Sequence, residues 1–210
     1  MHIVALEGPA HAGKTTLAHN LKKSLALENV LVLPDYVEAA GGPSALPDSP
    51  LDTIEEELAA FRSLLRLDVK RMKDGMASMP KADFILMDRS VHTFLAHRFS
   101  LSRLKRVPIF EECWKIAKSE SISWPDAILY IDVPQSLLDS RYSRRSGELP
   151  ILRNELFNEG FRAYFFSGII HKATPIFILD GNLSQTELTR IGFEALSSTL
   201  PDILKGGNHS

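Results

Sequence analysis

Short, almost continuously apolar runs alternate along this chain with longer stretches whose apolar residues recur every three or four positions. The short runs are residues 2–7, 30–33, 83–88, 127–132 and 175–179, rich in Val, Ile, Leu and Phe. Runs of that length predict strands buried on both faces, as in a parallel sheet. The longer stretches predict helices. Leu17, Leu21 and Leu25 recur at every fourth position after Lys14. Residues 51–74 carry Leu58, Phe61, Leu65 and Val69 on one side, with Asp52 or Thr53 as the N-cap. Residues 109–119, 134–144, 153–171 and 184–199 supply the other helices. Strand–helix alternation predicts an α/β fold with right-handed crossovers and a sheet covered on both faces. Residues 40–50 hold three prolines and two glycines and read as a loop. Residues 143–150 read as a charged connection between helices.

The length of 210 residues suits one domain, here 1–205, with 206–210 as a disordered tail. Apolar residues make up 44% and charged residues 24%, as in an average globular protein. A formal net charge of −2 gives no field that would draw the chain onto nucleic acid or an acidic membrane. The lone Cys113 excludes an internal disulfide and a multi-cysteine zinc site, and fits a reduced, cytoplasmic setting. The chain enters its first strand without a leader pattern, and no apolar run approaches the ~20 residues of a membrane span.

Gly8-x-x-x-x-Gly13-Lys14-Thr15 follows a predicted strand and opens a predicted helix, the setting a P-loop requires. Its candidate phosphate cradle is Gly8, Ala10, His11, Ala12, Gly13, Lys14, Thr15 and Thr16. Glycines let the backbone bend so that N–H groups converge on phosphate oxygens at a helix N-terminus. Lys14 would reach the β and γ phosphates of ATP, and the Thr15 hydroxyl would ligate Mg²⁺. The third strand ends in Asp88-Arg89-Ser90. Ligands of open α/β sheets bind beyond the carboxyl ends of strands, so Asp88 is a second Mg²⁺ candidate and Arg89 a fork for phosphate or acceptor. The alternative is that Asp88 only caps the next helix.

Arg144 and Arg145 are candidates for a lid spanning about 143–152, closing over the transferred phosphoryl group and excluding water. Arg141 reads instead as a solvated helix end. On the acceptor side, Asp35 or Glu38 would act on an acceptor hydroxyl or as an outer-sphere Mg²⁺ ligand, or simply form a polar loop after the strand, and Tyr36, Phe61, Arg66 and Arg89 would contact the acceptor. For Phe61 a core position, and for Arg66 a solvated face, are the plainer alternatives. Asp180-Gly181-Asn182 would pack near the nucleotide base, or simply form a turn before a helix capped by Ser184.

Together these stretches resemble the nucleoside and nucleotide kinases, thymidylate kinases most of all. The resemblance rests on Gly8–Thr16, Asp88-Arg89-Ser90, the run Trp124-Pro125-Asp126 through Asp132-Val133-Pro134, and the arginines of the lid. Phe157, Phe161, Arg162 and Tyr164 are similar to the helix after the family's lid. It implies a five-stranded parallel sheet of order 2-3-1-4-5, ATP and Mg²⁺, a small-molecule acceptor and, as in many related kinases, a homodimer. Two departures stand out. Ala10 occupies a position that is usually acidic in thymidylate kinases, and Leu33-Pro34-Asp35-Tyr36 replaces their Arg-Glu-Pro-Gly-like segment. Deoxynucleoside kinases place a glutamate base in that region and carry Glu-Arg-Ser, so this Asp-Arg-Ser lies between the two patterns. The expected activity is transfer of the γ-phosphate of ATP to a nucleoside, nucleotide or similar acceptor. The alternatives are a kinase of another hydroxylated metabolite and a nucleotide-binding regulatory module. A guanine-reading Asn-Lys-x-Asp segment, expected of a switch GTPase, is missing from the sequence.

Overall fold

The computed structural model describes residues 1–25, 29–48, 50–142, 150–170 and 174–199. Five strands form one all-parallel sheet: β1 (His2–Glu7), β2 (Val30–Leu33), β3 (Phe84–Asp88), β4 (Ala127–Asp132) and β5 (Ile176–Asp180). Their order is β2-β3-β1-β4-β5. β1 is central: Leu6 lies beside Asp88 of β3 and Leu129 of β4. From β1 the chain runs first to β2 and β3 on one side and then, after β3, to β4 and β5 on the other, so the strand order reverses at β1 and its carboxyl end is the crevice of the sheet.

The helices are α1 (Lys14–Ser24), α2 (Tyr36–Ala40), α3 (Ile54–Ser78), α4 (Val91–Lys105), α5 (Ile109–Ser119), α6 (Gln135–Tyr142), α7 (Glu155–Phe166) and α8 (Gln185–Thr199). Alternation along β1 assigns its two faces. Ile3 and Ala5 pack with Phe61, Leu65, Leu95 and Tyr164, under α3, α4, α5 and α7. Val4 and Leu6 pack with Leu17, Leu21, Leu138 and Leu188, under α1, α6 and α8. Each fully buried Leu in these layers contributes roughly 1.5–3 kcal/mol.

Local signals set the helix starts. Thr53, rather than Asp52, caps α3: its hydroxyl accepts from Glu56 N while Glu56 accepts from Thr53 N. α3 then runs four residues beyond the expected 74, to Ser78. The predicted helix 153–171 narrows to α7, behind a 3₁₀ turn at Pro150–Arg153. Residues 43–45 form another 3₁₀ turn inside the predicted loop.

α4 is the helix the apolar pattern does not announce. Val91, Phe94, Leu95, Ala96 and Leu101 are buried, but so are His92, Thr93, Arg98 and Ser100. A helix enclosed on nearly every side shows no single apolar stripe. It meets α7 closely where a Cβ on Gly160 would lie 2.9 Å from Ser100 Cα. Its N-cap is Ser90, whose hydroxyl accepts from His92 N at 3.2 Å, so Asp88 is not the cap.

Candidate active site

The loop after β1 turns through left-handed conformations at Gly8 (φ 140°), His11 (φ 60°) and Gly13 (φ 98°). At Gly8 a side chain is excluded twice over, by that φ and by the Ile131 carbonyl, 2.7 Å from where a Cβ would sit. α1 begins at Lys14 with no side-chain cap, so its first-turn N–H donors have no side-chain acceptor. Ala10, His11, Gly13, Lys14, Thr15 and Thr16 line a cleft of ≈ 840 Å³ above the carboxyl ends of the strands. Ala12 is buried beneath the loop.

Lys14 is buried, and its Nζ donates to the Pro9 carbonyl at 2.8 Å. Burial, with Arg89 nearby, pulls its ammonium down to about 7 against the opposing pull of Asp88, Asp35 and Glu7. An anion in the loop would restore its charge. Thr15 Oγ1 donates to Asp88 Oδ2 across the β1–β3 seam. Asp88 is buried, and its Oδ1 has no hydrogen-bond partner among the described residues. A hydroxyl beside a carboxylate with an unused oxygen is a hard-oxygen pair of the kind that fits Mg²⁺, with phosphate and water completing the shell. No cluster of three His, Cys, Asp or Glu side chains that could hold a metal occurs among the described residues.

Arg89 follows directly, at φ 71°. Its Nε donates to Asp35 Oδ2 at 2.6 Å and its Nη1 to the Gly8 carbonyl at 3.3 Å. Asp35 also accepts from Val37 N at 2.8 Å, capping α2. Burial raises the Asp35 carboxyl, but Arg89, the Val37 N–H and Lys14 outweigh it and hold the group below its ordinary value. Asp35 therefore stays ionised at neutral pH inside the cleft. Glu38, the other acidic candidate, is exposed on α2 and does not line the cleft.

Of the acceptor-side candidates, Phe61 and Arg66 take their alternative places, and Tyr36 lines the cleft with its ring already engaged. Phe61 is fully buried in the core and does not line the cleft. Arg66 is exposed, where its Nη2 donates to Ser63 Oγ at 2.9 Å. At 100° per residue, the face of α3 that meets the cleft at Leu64 carries Arg66 away from it. Tyr36 lines the cleft, but its ring is taken up by the Arg71 guanidinium at 3.9 Å and by Phe94 at 4.1 Å, and its hydroxyl by Asp68 at 2.7 Å. It is a fixed wall rather than a free stacking face. Arg141 is not a solvated helix end. It donates to the His11 carbonyl at 2.9 Å and to the Gly181 carbonyl at 3.2 Å, tying the loop after β1 to the turn after β5. That turn closes on itself, with Asp180 accepting from Asn182 N and Ser184 capping α8. Arg144 and Arg145 lie outside the described residues, as does most of the expected lid.

Charged residues that the sequence reading passed over complete the site. Glu7, at the end of β1, is wholly buried and accepts from Ser90 N, Ser90 Oγ and Thr93 Oγ1. Burial raises its carboxyl despite those bonds and the nearby Arg89. Arg71 is buried beneath the acidic edge. Its Nη1 donates to the Pro34 and Asp88 carbonyls, and its Nη2 to Asp68 Oδ1 and the Arg89 carbonyl. A signal for this pair existed: Asp68 and Arg71 continue the Phe61–Leu64 stripe of α3, where a charge must be buried with a partner. Farther into the cleft, Arg98 lies 3.1 Å from Glu57, both fully buried, beside Leu64, Phe94, His97, Phe157 and Phe161.

No protein-family model and no curated protein matches the chain. Solved structures do, over nearly its whole length. Deoxyadenosine kinase from M. mycoides, with the products dCMP and a flexible dCDP bound, superimposes with a TM-score of 0.66 at 16% identity. That match covers 93% of this chain and 99% of the other. The same enzyme with bound dATP gives 0.65 at 16%, over 94% and 100%. Thymidylate kinase from Candida albicans gives 0.68 at 15%, over 94% and 91%. The chain thus has the fold of the P-loop nucleoside and nucleotide kinases, with the strand order that the resemblance implied.

Proposed function

We propose, with that shared fold as the premise, that this chain is a Mg²⁺·ATP-dependent kinase that phosphorylates a hydroxyl of a nucleoside-type acceptor. The observation that carries the reading is the Asp35–Arg89 pair, at 2.6 Å in the same cleft as Lys14, Thr15 and Asp88. A carboxylate held ionised there attracts a hydroxyl and repels a phosphate, so a nucleoside is favoured over a nucleoside monophosphate.

Bound Mg²⁺·ATP would supply the electrophilic γ-phosphorus and the screening charge. The chain's own residues then divide the work. Loop amides and Lys14 hold the phosphates. Thr15 and Asp88 would hold the metal. Asp35 aligns the acceptor hydroxyl and takes its proton as the new O–P bond forms. A weak base suffices, because bond formation to phosphorus lags behind bond breaking in a loose transition state. Arg89 keeps Asp35 in place and offers positive charge to the equatorial oxygens. Lid arginines 144 and 145 belong to the same proposal and would seal the site from water. The apolar inner wall suits a planar ring.

The test is release of ADP, coupled to a spectroscopic readout, against a panel of nucleosides and nucleoside monophosphates. Turnover is expected with a nucleoside. No acceptor raising the rate above background hydrolysis would refute a kinase and favour a nucleotide-binding regulatory module.

A further inference from the structure

The cleft is electrically divided. Its outer part carries Lys14, Asp35, Arg89 and Arg141. Its inner part is walled by Leu64, Phe94, Phe157 and Phe161, all under 9% exposed. His97 stands among them, edge-on to Phe157 at 5.2 Å and to Phe161 at 5.4 Å. Burial, helped by Arg89, Arg98 and Lys14, pulls its imidazole down to about 3, so it is neutral at physiological pH.

Among the described residues, one charged side chain reaches this inner wall. Arg98 is 1% exposed and lines the cleft. Its Nη2 lies 3.1 Å from Glu57 Oε2, yet the N–H groups do not point along that contact. Nε, Nη2 and Glu57 Oε2 are all without a hydrogen-bond partner among the described residues. Glu57 is anchored from behind by Leu51 N, which donates to its Oε1 at 2.8 Å. A buried guanidinium with two unused donors is costly unless something completes it. Its charge is already cancelled by Glu57, so the missing partner is neutral: a carbonyl oxygen or a ring nitrogen. A phosphate or carboxylate at that end would instead meet the Glu57 charge.

Distance narrows the partner further. From Ser90, at the reacting end, to Arg98 is eight residues of helix, about 12 Å. A sugar joined to a flat heterocycle spans that reach. A small polyol or hydroxy acid does not.

We propose that Arg98 is a specificity-determining residue that donates to a carbonyl or ring-nitrogen edge of a neutral heterocycle on the acceptor. This rests on the kinase reading for the identity of the cleft, but not for its own test. Nε and Nη2 share one edge of the guanidinium, so a ring with two adjacent acceptors is the best complement. Cytosine O2/N3 and guanine O6/N7 offer such an edge.

The experiment measures equilibrium binding of 2′-deoxycytidine, 2′-deoxyguanosine, 2′-deoxyadenosine, thymidine and ribose to the protein saturated with Mg²⁺·ADP. Deoxycytidine or deoxyguanosine is expected to bind tightest, and ribose not measurably. For the tightest ligand, an analogue in which a carbon replaces the ring nitrogen of that edge should bind wild type at least about tenfold more weakly. The double variant Arg98→Met/Glu57→Gln removes the pair without stranding a charge. It should erase the preference between parent and analogue while keeping its affinity for Mg²⁺·ADP. Equal binding of parent and analogue by wild type overturns the proposal even if the variant does not fold. So does discrimination that survives in a folded variant, or tight binding of none but non-heterocyclic compounds. Arg98-dependent binding without phosphorylation leaves this proposal standing and removes the kinase reading. Phosphorylation indifferent to Arg98 does the reverse.

Discussion

Arg71 holds the main chain of Arg89: its Nη2 donates to the Arg89 carbonyl at 2.8 Å, directly beneath a residue whose φ is 71°. The same guanidinium bonds the Pro34 and Asp88 carbonyls and the Asp68 carboxylate. One buried side chain therefore joins the carboxyl ends of β2 and β3 and fixes the left-handed turn that aims Arg89 at Asp35. A left-handed arginine costs on the order of 1–2 kcal/mol and persists because its surroundings dictate it. Arg71→Lys keeps a charge beside Asp68 but cannot serve all four acceptors. It should lower stability by about 2–3 kcal/mol in urea denaturation. It should also reduce kcat more than it weakens Mg²⁺·ADP binding, because it loosens Arg89 and not the P-loop.

Asp35 and Glu38 separate by position. Asp35→Asn keeps the α2 cap but removes the proton acceptor and the charge opposite Arg89. Turnover should fall by roughly 10²–10⁴-fold, with Mg²⁺·ADP affinity changed little. Glu38→Gln alters an exposed side chain outside the cleft and should leave kcat within about twofold of wild type. Steady-state kinetics on the pair checks both, and an equal loss in the two variants would contradict the assignment.

Asp88 is predicted to act through the metal. Asp88→Asn retains a side-chain oxygen but loses the charge behind the unpartnered Oδ1. The Mg²⁺ concentration for half-maximal activity should rise by about tenfold or more. Affinity for ATP in the presence of EDTA should change far less.

His92 makes stability depend on pH. Its ring is buried, with Nδ1 2.8 Å from Tyr164 Oη, and burial lowers its imidazole from 6.5 to about 3. The unfolded chain binds a proton at pH 6.5 and below, while the folded chain does not until about pH 3. Its contribution is therefore fully present above pH 6.5 and lost as pH falls toward 3, with a slope of up to about 1.4 kcal/mol per pH unit. Urea midpoints at pH 7, 6 and 5 should fall accordingly, and His92→Gln should reduce that dependence but not abolish it, because the buried His97 titrates in the same direction.

The sheet was legible because each strand is a short, largely apolar run, and such runs fit strands buried on both faces of a parallel sheet. The turn from β1 into α1 was legible because glycine spacing, a preceding strand and a following helix agree. α4 escaped because its burial is all-round: Arg98, His92 and Ser100 face inward and break any apolar stripe. Phe61 and Arg66 were misplaced for a related reason. Spacing on α3 says which residues share a face, but only packing against α4, α5 and β2 says that the cleft opens at Leu64. Asp68–Arg71 shares one face of α3 with Phe61 and Leu64 and could have been found from that stripe, whereas Glu57–Arg98 pairs charges on two helices, and no local pattern distinguishes it from surface ion pairs.

The central claim is that this cleft moves a phosphoryl group onto the hydroxyl of a nucleoside-type acceptor. The most direct measurement is ³¹P NMR of wild-type protein with Mg²⁺·ATP and a mixture of deoxynucleosides, run beside Asp35→Asn. The account predicts a phosphomonoester resonance growing in step with ADP for wild type and nearly absent for the variant. Appearance of inorganic phosphate alone, or a monoester formed equally fast by Asp35→Asn, would contradict it.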